Sequence, residues 1–169
     1  MGTRGLIILI LKRRIITLYN HWDSYPHGLG RSLVEQLLRL LDKYRLEKIA
    51  EIIDSVKIVS EEVPPTFDEI NQLEKYSDST VSTCKLTEWY CLLRKCQGSI
   101  ELMIECGYAL GTEYDNIDEA YQEAKDCWAD FVYTFDFDSN EFLCNKFSLG
   151  LLTEINFDWI DRPLSSEAE

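Results

Sequence analysis

The chain contains 169 residues, a length that predicts one domain over residues 1–169, with a polar tail from about residue 162. Apolar residues make up 46% of the sequence, which is enough to bury a core. The formal net charge is −13, from 30 acidic and 17 basic residues. This balance excludes general binding to nucleic acid or to anionic membranes, because both need clustered Lys and Arg.

Two short apolar runs open the chain, at residues 6–11 and 15–19, and the basic residues 12–14 separate them. Runs rich in β-branched residues with a polar break predict two strands joined by a turn. The uninterrupted first run further indicates that both faces of its strand are covered. The first run is too short to cross a membrane, and its basic residues follow it, whereas those of a signal peptide come first. We therefore expect no membrane or targeting segment.

Helical spacing of apolar residues dominates the middle of the chain. It predicts helices over residues 33–41 and 46–53, and further helices around residues 67–73, 89–93 and 100–104. Alternation at residues 56–58 predicts a short strand. Thr66 and Glu69 have the spacing of a capping box, Gly107 stands at a predicted helix end, and Asn116 is a predicted N-cap.

The clearest strand pattern comes late in the sequence. Aromatic and β-branched residues alternate over residues 131–137, residues 138–140 predict a turn, and residues 141–147 predict the return strand. Residues 155–159 alternate again and predict a further strand. Together the elements predict an α+β fold, in which N- and C-terminal hairpins form an antiparallel or mixed sheet of four to five strands and the central helices cover it.

The six cysteines show no C-x-x-C spacing, which argues against a structural zinc site. Several occupy apolar positions of predicted helices or strands. We therefore expect reduced core residues in a cytoplasmic protein. They are Cys84, Cys91, Cys96, Cys106, Cys127 and Cys144.

The loop after the first hairpin, residues 20–30, concentrates polar and aromatic side chains and contains both histidines of the chain. One hypothesis is a ligand-binding or catalytic loop, in which His21 acts as a base and Asp23 orients it. A second is a metal site of His21, Asp23 and His27, but their spacing matches no standard motif, and we predict no metal. The third is a structural loop, in which Asn20 and Asp23 cap turns and two glycines bring the next helix close to the sheet.

The sequence Met-Gly-Thr-Arg-Gly opens the chain, Tyr-Asn-His-Trp-Asp-Ser-Tyr-Pro occupies residues 19–26, and Gly-Leu-Gly occupies residues 28–30. These residues resemble a widespread family of small proteins from bacteria, phages, large DNA viruses and fungi. Its members begin GTRG or STRA and carry Y-N/C-H-W-D-S/G-Y-P-x-G-x-G after a β-hairpin. Residues 89–94, 97–98 and 133–138 are similar to later features of its eukaryotic and viral members. The family has no established activity, so the resemblance implies a site rather than a function, and its variable position at His27 argues against the metal site.

A partial resemblance is to N-terminal nucleophile hydrolases, whose chains begin with a nucleophilic Cys, Ser or Thr on the first strand of a hairpin. An Asn or Asp follows their second strand. Thr3, the predicted hairpin, and Asn20 with Asp23 are similar in order and spacing. However, removal of Met1 leaves Gly2 as the terminus, so Thr3 has no free α-amine to act as its base without further trimming.

We predict a non-catalytic module that binds a small ligand or a protein partner and uses no cofactor. Arg4 is expected either to pair with Asp23 or to meet an anionic ligand. The predicted binding residues are Arg4, Asn20, His21, Asp23, Ser24 and Tyr25. The alternative is a small hydrolase, which needs a nucleophile, a base and a polar stabiliser at one concave point. Its catalytic residues would be Thr3, His21 and Asp23.

Overall fold

The structure is a computed structural model that describes residues 2–78, 80, 86–162 and 164. Eight strands lie in the described part of the chain: β1 Gly5–Leu11, β2 Arg14–Asn20, β3 Lys57–Val59, β4 Tyr108–Leu110, β5 Thr112–Tyr114, β6 Phe131–Asp136, β7 Glu141–Cys144 and β8 Phe147–Leu151. Six of them form one mixed sheet in the order β5-β2-β1-β6-β7-β8, and β3 pairs with β4 separately. In the large sheet β1 and β6 are parallel, and the other neighbours are antiparallel.

Helices cover both faces of the large sheet. Those of the described residues are α1 Arg31–Lys43, α2 Leu46–Asp54, α3 Phe67–Leu73, α4 Trp89–Leu92, α5 Ile100–Cys106 and α6 Ile117–Asp126. Apolar residues of α1, α2 and α5 share one buried cluster with the sheet, and those of α6 share another. The predicted α+β fold with a mixed sheet is confirmed, and the sheet has one strand more than the upper prediction. None of the described helices is long and apolar enough to cross a membrane.

The position of β1 inside the fold explains why its sequence is apolar throughout. Successive side chains of a strand point to opposite faces of the sheet. Ile7 and Leu9 belong to the cluster under α1, α2 and α5, whereas Leu6 and Ile8 belong to the cluster under α6. Because both faces are buried, β1 has no solvent-facing position that needs a polar residue, and the predicted double coverage is confirmed.

The turn between β1 and β2 is held by a distant carboxylate. Lys12 and Arg13 both have positive φ, 49° and 64°, a conformation that costs a non-glycine residue about 1–2 kcal/mol. Their backbone N–H groups donate to the two carboxylate oxygens of Asp138, at 2.8 and 3.0 Å. Asp138 lies in the turn between β6 and β7, so the N-terminal and C-terminal hairpins are joined at this end of the sheet.

The local helix signals are confirmed where the structure describes them. Thr66 and Glu69 form a reciprocal capping box at the start of α3. The side chain of Asn116 accepts a hydrogen bond from the backbone at the start of α6, and Gly107 ends α5 with φ at 76°. These short-range features depend on residues within one turn of each other, which is why the sequence predicts them well.

The C-terminal prediction is wrong in two places. Residues 155–159 form an irregular segment that ends in a bend and a turn rather than a strand, and Trp159 packs into the core from this segment. Alternating apolar residues over five positions are found in strands, but also in irregular segments that bury every second side chain in the core. Residues 141–147 form β7 and the beginning of β8, because Asn145 and Lys146 adopt positive φ and reverse the chain. The short strands β4 and β5 were not predicted.

The prediction that all cysteines are reduced is wrong for Cys91, which is disulfide-bonded. Cys84 lies outside the described residues. Burial alone does not decide the redox state, because thiols and disulfides are both apolar enough for a core. The free thiols of the described residues are Cys96, Cys106, Cys127 and Cys144.

Candidate functional site

Two of the predicted ligand-binding residues, Asn20 and Ser24, are buried and hold the loop together. The Asn20 amide nitrogen donates to the carbonyl oxygen of Trp22, at 2.5 Å, and to the Ser24 hydroxyl, at 2.8 Å. Ser24 has no exposed surface, and its backbone N–H donates to the carbonyl of Thr3, at 3.2 Å. Their polar atoms therefore fasten the loop to itself and to the segment before β1.

The loop is also fastened to the centre of the sheet. The hydroxyl of Tyr133 in β6 donates to the carbonyl oxygen of Ser24, at 2.7 Å. Gly30 packs so closely that an added Cβ would lie 2.7 Å from the Trp159 ring and 2.9 Å from the Tyr133 ring. The second glycine of the Gly-Leu-Gly motif thus lets α1 start against the sheet, as the structural hypothesis for this loop proposed.

His21 points into a polar neighbourhood on one side of the loop. Its Nδ1 lies 2.8 Å from the Tyr19 hydroxyl oxygen, and its backbone N–H donates to Oε1 of Gln97, at 3.3 Å. Burial, followed by the positive charges of Arg4 and Arg94, lowers the pKa of His21 below its usual 6.5. The imidazole is therefore neutral at pH 7.

The two ring nitrogens of His21 have different surroundings. Burial raises the pKa of the Tyr19 phenol, so the hydroxyl that meets Nδ1 keeps its proton at pH 7. A neutral imidazole carries one proton, on either Nδ1 or Nε2. Within the described residues, Nε2 makes no hydrogen bond.

Asp23 and Tyr25 occupy the exposed side of the loop. Asp23 has a positive φ of 51°, and its backbone carbonyl accepts a 2.7 Å hydrogen bond from the N–H of Leu29. Among the described residues, neither His21 nor Arg4 donates to the Asp23 carboxylate. The predicted ion pair between Arg4 and Asp23 is not formed within the described residues, and the acidic side chain that Arg4 meets is Asp130, which accepts its backbone N–H.

The hydrolase hypothesis needs Thr3, His21 and Asp23 to converge. The carbonyl of half-buried Thr3 binds the backbone of Ser24, and Nδ1 of His21 meets Tyr19 rather than a carboxylate. In the part of the chain that the structure describes, no hydrogen bond joins any two of the three proposed catalytic side chains. A base–orienter pair of the usual kind is thus not assembled here.

A small cavity lies between β2 and the segment that follows α4. It is lined by Tyr19 and Gln97, which form hydrogen bonds with His21, but not by His21 or Arg4 themselves. Its volume is about 80 Å³. Tyr19, Tyr90, Arg94 and Gln97 supply its polar wall. The guanidinium of Arg94 lies 5.3 Å above the Tyr90 ring and donates to Oε1 of Gln97, the same atom that accepts from His21.

Tyr90, Arg94 and Gln97 are not among the site residues predicted from the sequence. They lie in the segments 89–94 and 97–98, which the family resemblance had marked. The hydrogen bond between His21 and Gln97 joins positions 76 residues apart. No spacing rule predicts such a pairing, so the wall of the cavity is visible only in the folded chain.

His27, the second histidine of the metal hypothesis, pairs with Asp161 and makes no hydrogen bond or ion pair with His21 or Asp23 within the described residues. Its Nε2 lies 3.0 Å from the carboxylate of Asp161, in an exposed pair. Over residues 2–78, 80, 86–162 and 164, no group of three or more His, Cys, Asp or Glu side chains is arranged to hold a metal ion.

Comparisons of the chain with protein families, with curated proteins and with solved structures found no match. The resemblance to the GTRG/STRA family therefore stays a prediction that rests on the motif residues alone.

Proposed function

We propose that this protein is a non-catalytic binding module that holds a small anion next to His21, near the positive charges of Arg4 and Arg94. The observation that carries the proposal is that Arg94, in the wall of the cavity, donates to Gln97, which accepts the backbone N–H of His21, and that the charges of Arg4 and Arg94 both reach the His21 imidazole. An anionic group there would be attracted by both arginines.

The charges of the two arginines are not already neutralised by ion pairs. Within the described residues, neither Arg4 nor Arg94 forms an ion pair with an acidic side chain. The chain carries a net charge of −13, and several of its other arginines are paired with acids. Two arginines that remain unpaired next to one histidine therefore favour an anionic ligand over a purely structural role.

The volume of the cavity limits the size of the ligand. It holds about 80 Å³, whereas sites for drug-sized molecules hold about 300–1,000 Å³. A carboxylate or phosphate group therefore fits this cavity better than a large substrate does.

Binding is tested by NMR with inorganic phosphate and acetate as the probes. The chain has two histidines, so its imidazole spectrum contains one reporter in the site, His21, and one internal reference, His27. We expect saturable movement of the His21 signals and little movement of the His27 signals. Because an anion offsets the arginine charges that lower the pKa of His21, binding should raise that pKa and tighten as the pH falls towards it.

Two site variants and one control variant separate specific binding from general charge effects. Arg4→Gln and Arg94→Gln should each weaken the response of His21, while Arg45→Gln, which changes an exposed arginine at the start of α2, should leave it unchanged. If neither probe moves the His21 signals in the wild-type protein, or if all three variants weaken the response equally, the anion site is wrong.

A further inference from the structure

A second and much larger cavity lies on the α6 face of the sheet. Its volume is about 810 Å³, within the range of about 300–1,000 Å³ that is typical of small-molecule sites. It is bounded by the C-terminal half of α6, the start of β6, the turn before β8 and the chain near residue 162. None of the residues assigned to the anion site beside His21 lines it.

The floor of this cavity is apolar and its rim is basic. Ala124, Phe131 and Val132 supply apolar surface from α6 and β6. The basic side chains of the wall are Lys125, Lys146 and Arg162. Within the described residues, none of the three forms an ion pair with an acid.

The rim is held in place by the turn before β8. The side chain of Asn145 accepts a hydrogen bond from the backbone N–H of Val132, at 2.8 Å, which fastens the turn to β6. Next to it, the ammonium group of Lys146 lies 4.3 Å above the Tyr121 ring. Asp130, the acidic residue of the wall, accepts a hydrogen bond from the backbone of Arg4, so its charge is partly engaged elsewhere.

We propose that this cavity binds an amphipathic anion, a molecule with an aliphatic or aromatic body and one carboxylate. Charge complementarity selects this class, because three unpaired cations surround an apolar floor in a chain with a net charge of −13. The body of the ligand would lie on the apolar floor and its carboxylate would meet the basic rim. A neutral apolar ligand would leave the rim unused, and a small hydrophilic anion would leave the floor exposed.

The proposal is tested by calorimetric titration of the full chain with decanoate and with decanol below their aggregation concentrations. These probes share one apolar chain and differ in charge. We expect saturable binding of decanoate and clearly weaker binding of decanol. Lys125→Gln, Lys146→Gln and Arg162→Gln should each weaken decanoate binding about two- to fivefold, the effect of one exposed charge pair, and leave decanol binding unchanged.

The matched control is Lys43→Gln, which removes an exposed lysine at the end of α1. All four variants change exposed side chains, so the folded chain is retained and unfolding curves verify this. The proposal is overturned if decanoate does not bind, if decanol binds equally well, or if Lys43→Gln weakens decanoate binding as much as the rim variants do. Since the anion site beside His21 shares no lining residue with this cavity, failure of either proposal leaves the other intact.

Discussion

Replacing Tyr133 by Phe removes the hydroxyl group whose hydrogen bond joins β6 to the loop at residues 20–30. The Tyr133 hydroxyl has no exposed surface and donates to the carbonyl of Ser24, which is itself fully buried. The change creates almost no cavity, but it leaves a buried carbonyl without this donor. Such a loss costs about 1–3 kcal/mol in the free energy of unfolding. For a chain of this length, this corresponds to a fall in melting temperature of roughly 2–12 °C.

Urea unfolding followed by fluorescence measures this loss, and an unchanged m-value shows that the unfolded state is unaffected. Tyr121→Phe is the matched control, because its hydroxyl is half-buried and lies 3.5 Å from the Thr134 hydroxyl, at the limit of a hydrogen bond. We expect the control to cost less than about 0.5 kcal/mol. Equal losses for the two variants would show that the hydrogen bond to Ser24 does not anchor the loop.

Two further predictions concern acid stability and thiol chemistry. The hydrogen bond from Lys57, together with the helix cap, lowers the pKa of Glu69 from 4.5 to about 2. Glu69→Gln should therefore cost about 1 kcal/mol at pH 7, and this difference should shrink as the pH falls from 4.5 towards 2; a difference that does not depend on pH would contradict it. The sulfur atoms of Cys96 and Cys106 lie 3.8 Å apart, and the hydrogen bond from Cys96 lowers the pKa of Cys106 to about 7. Mild oxidation by glutathione disulfide should therefore join these two thiols and release two glutathione thiols, and peptide mapping that finds Cys96–Cys106 unlinked would refute this.

The hairpin, the main helices and the helix caps were predictable because their signals are local. The apolar runs of β1 and β2 differ from the helical spacing of α1 and α2 within a few residues of sequence. The capping box of Thr66 and Glu69 spans a single turn. By contrast, β5 is three residues long and largely exposed, and its pairing with β2 supplies the order that its sequence lacks.

The parallel pairing of β1 with β6 illustrates what local patterns leave open. These strands begin about 126 residues apart, and Gly5 lies opposite Phe131. Both are apolar, and hydrophobic patterns predict that each is buried but not which neighbour it joins. In the resulting sheet, α1 and α2 pack on one face and α6 packs on the other.

By itself, the sequence determined that this chain has an acidic surface, an apolar core and a loop with unusual polar content at residues 20–25. The tertiary structure alone decided how that loop is used. In the folded chain, Asn20 and Ser24 are buried and bind backbone groups of the loop, and Gln97 and Arg94 lie near His21. The reason is physical. The sequence gives the chemical groups of each side chain and its local pattern, whereas burial and long-range packing decide whether its polar atoms bind other parts of the chain or face a ligand.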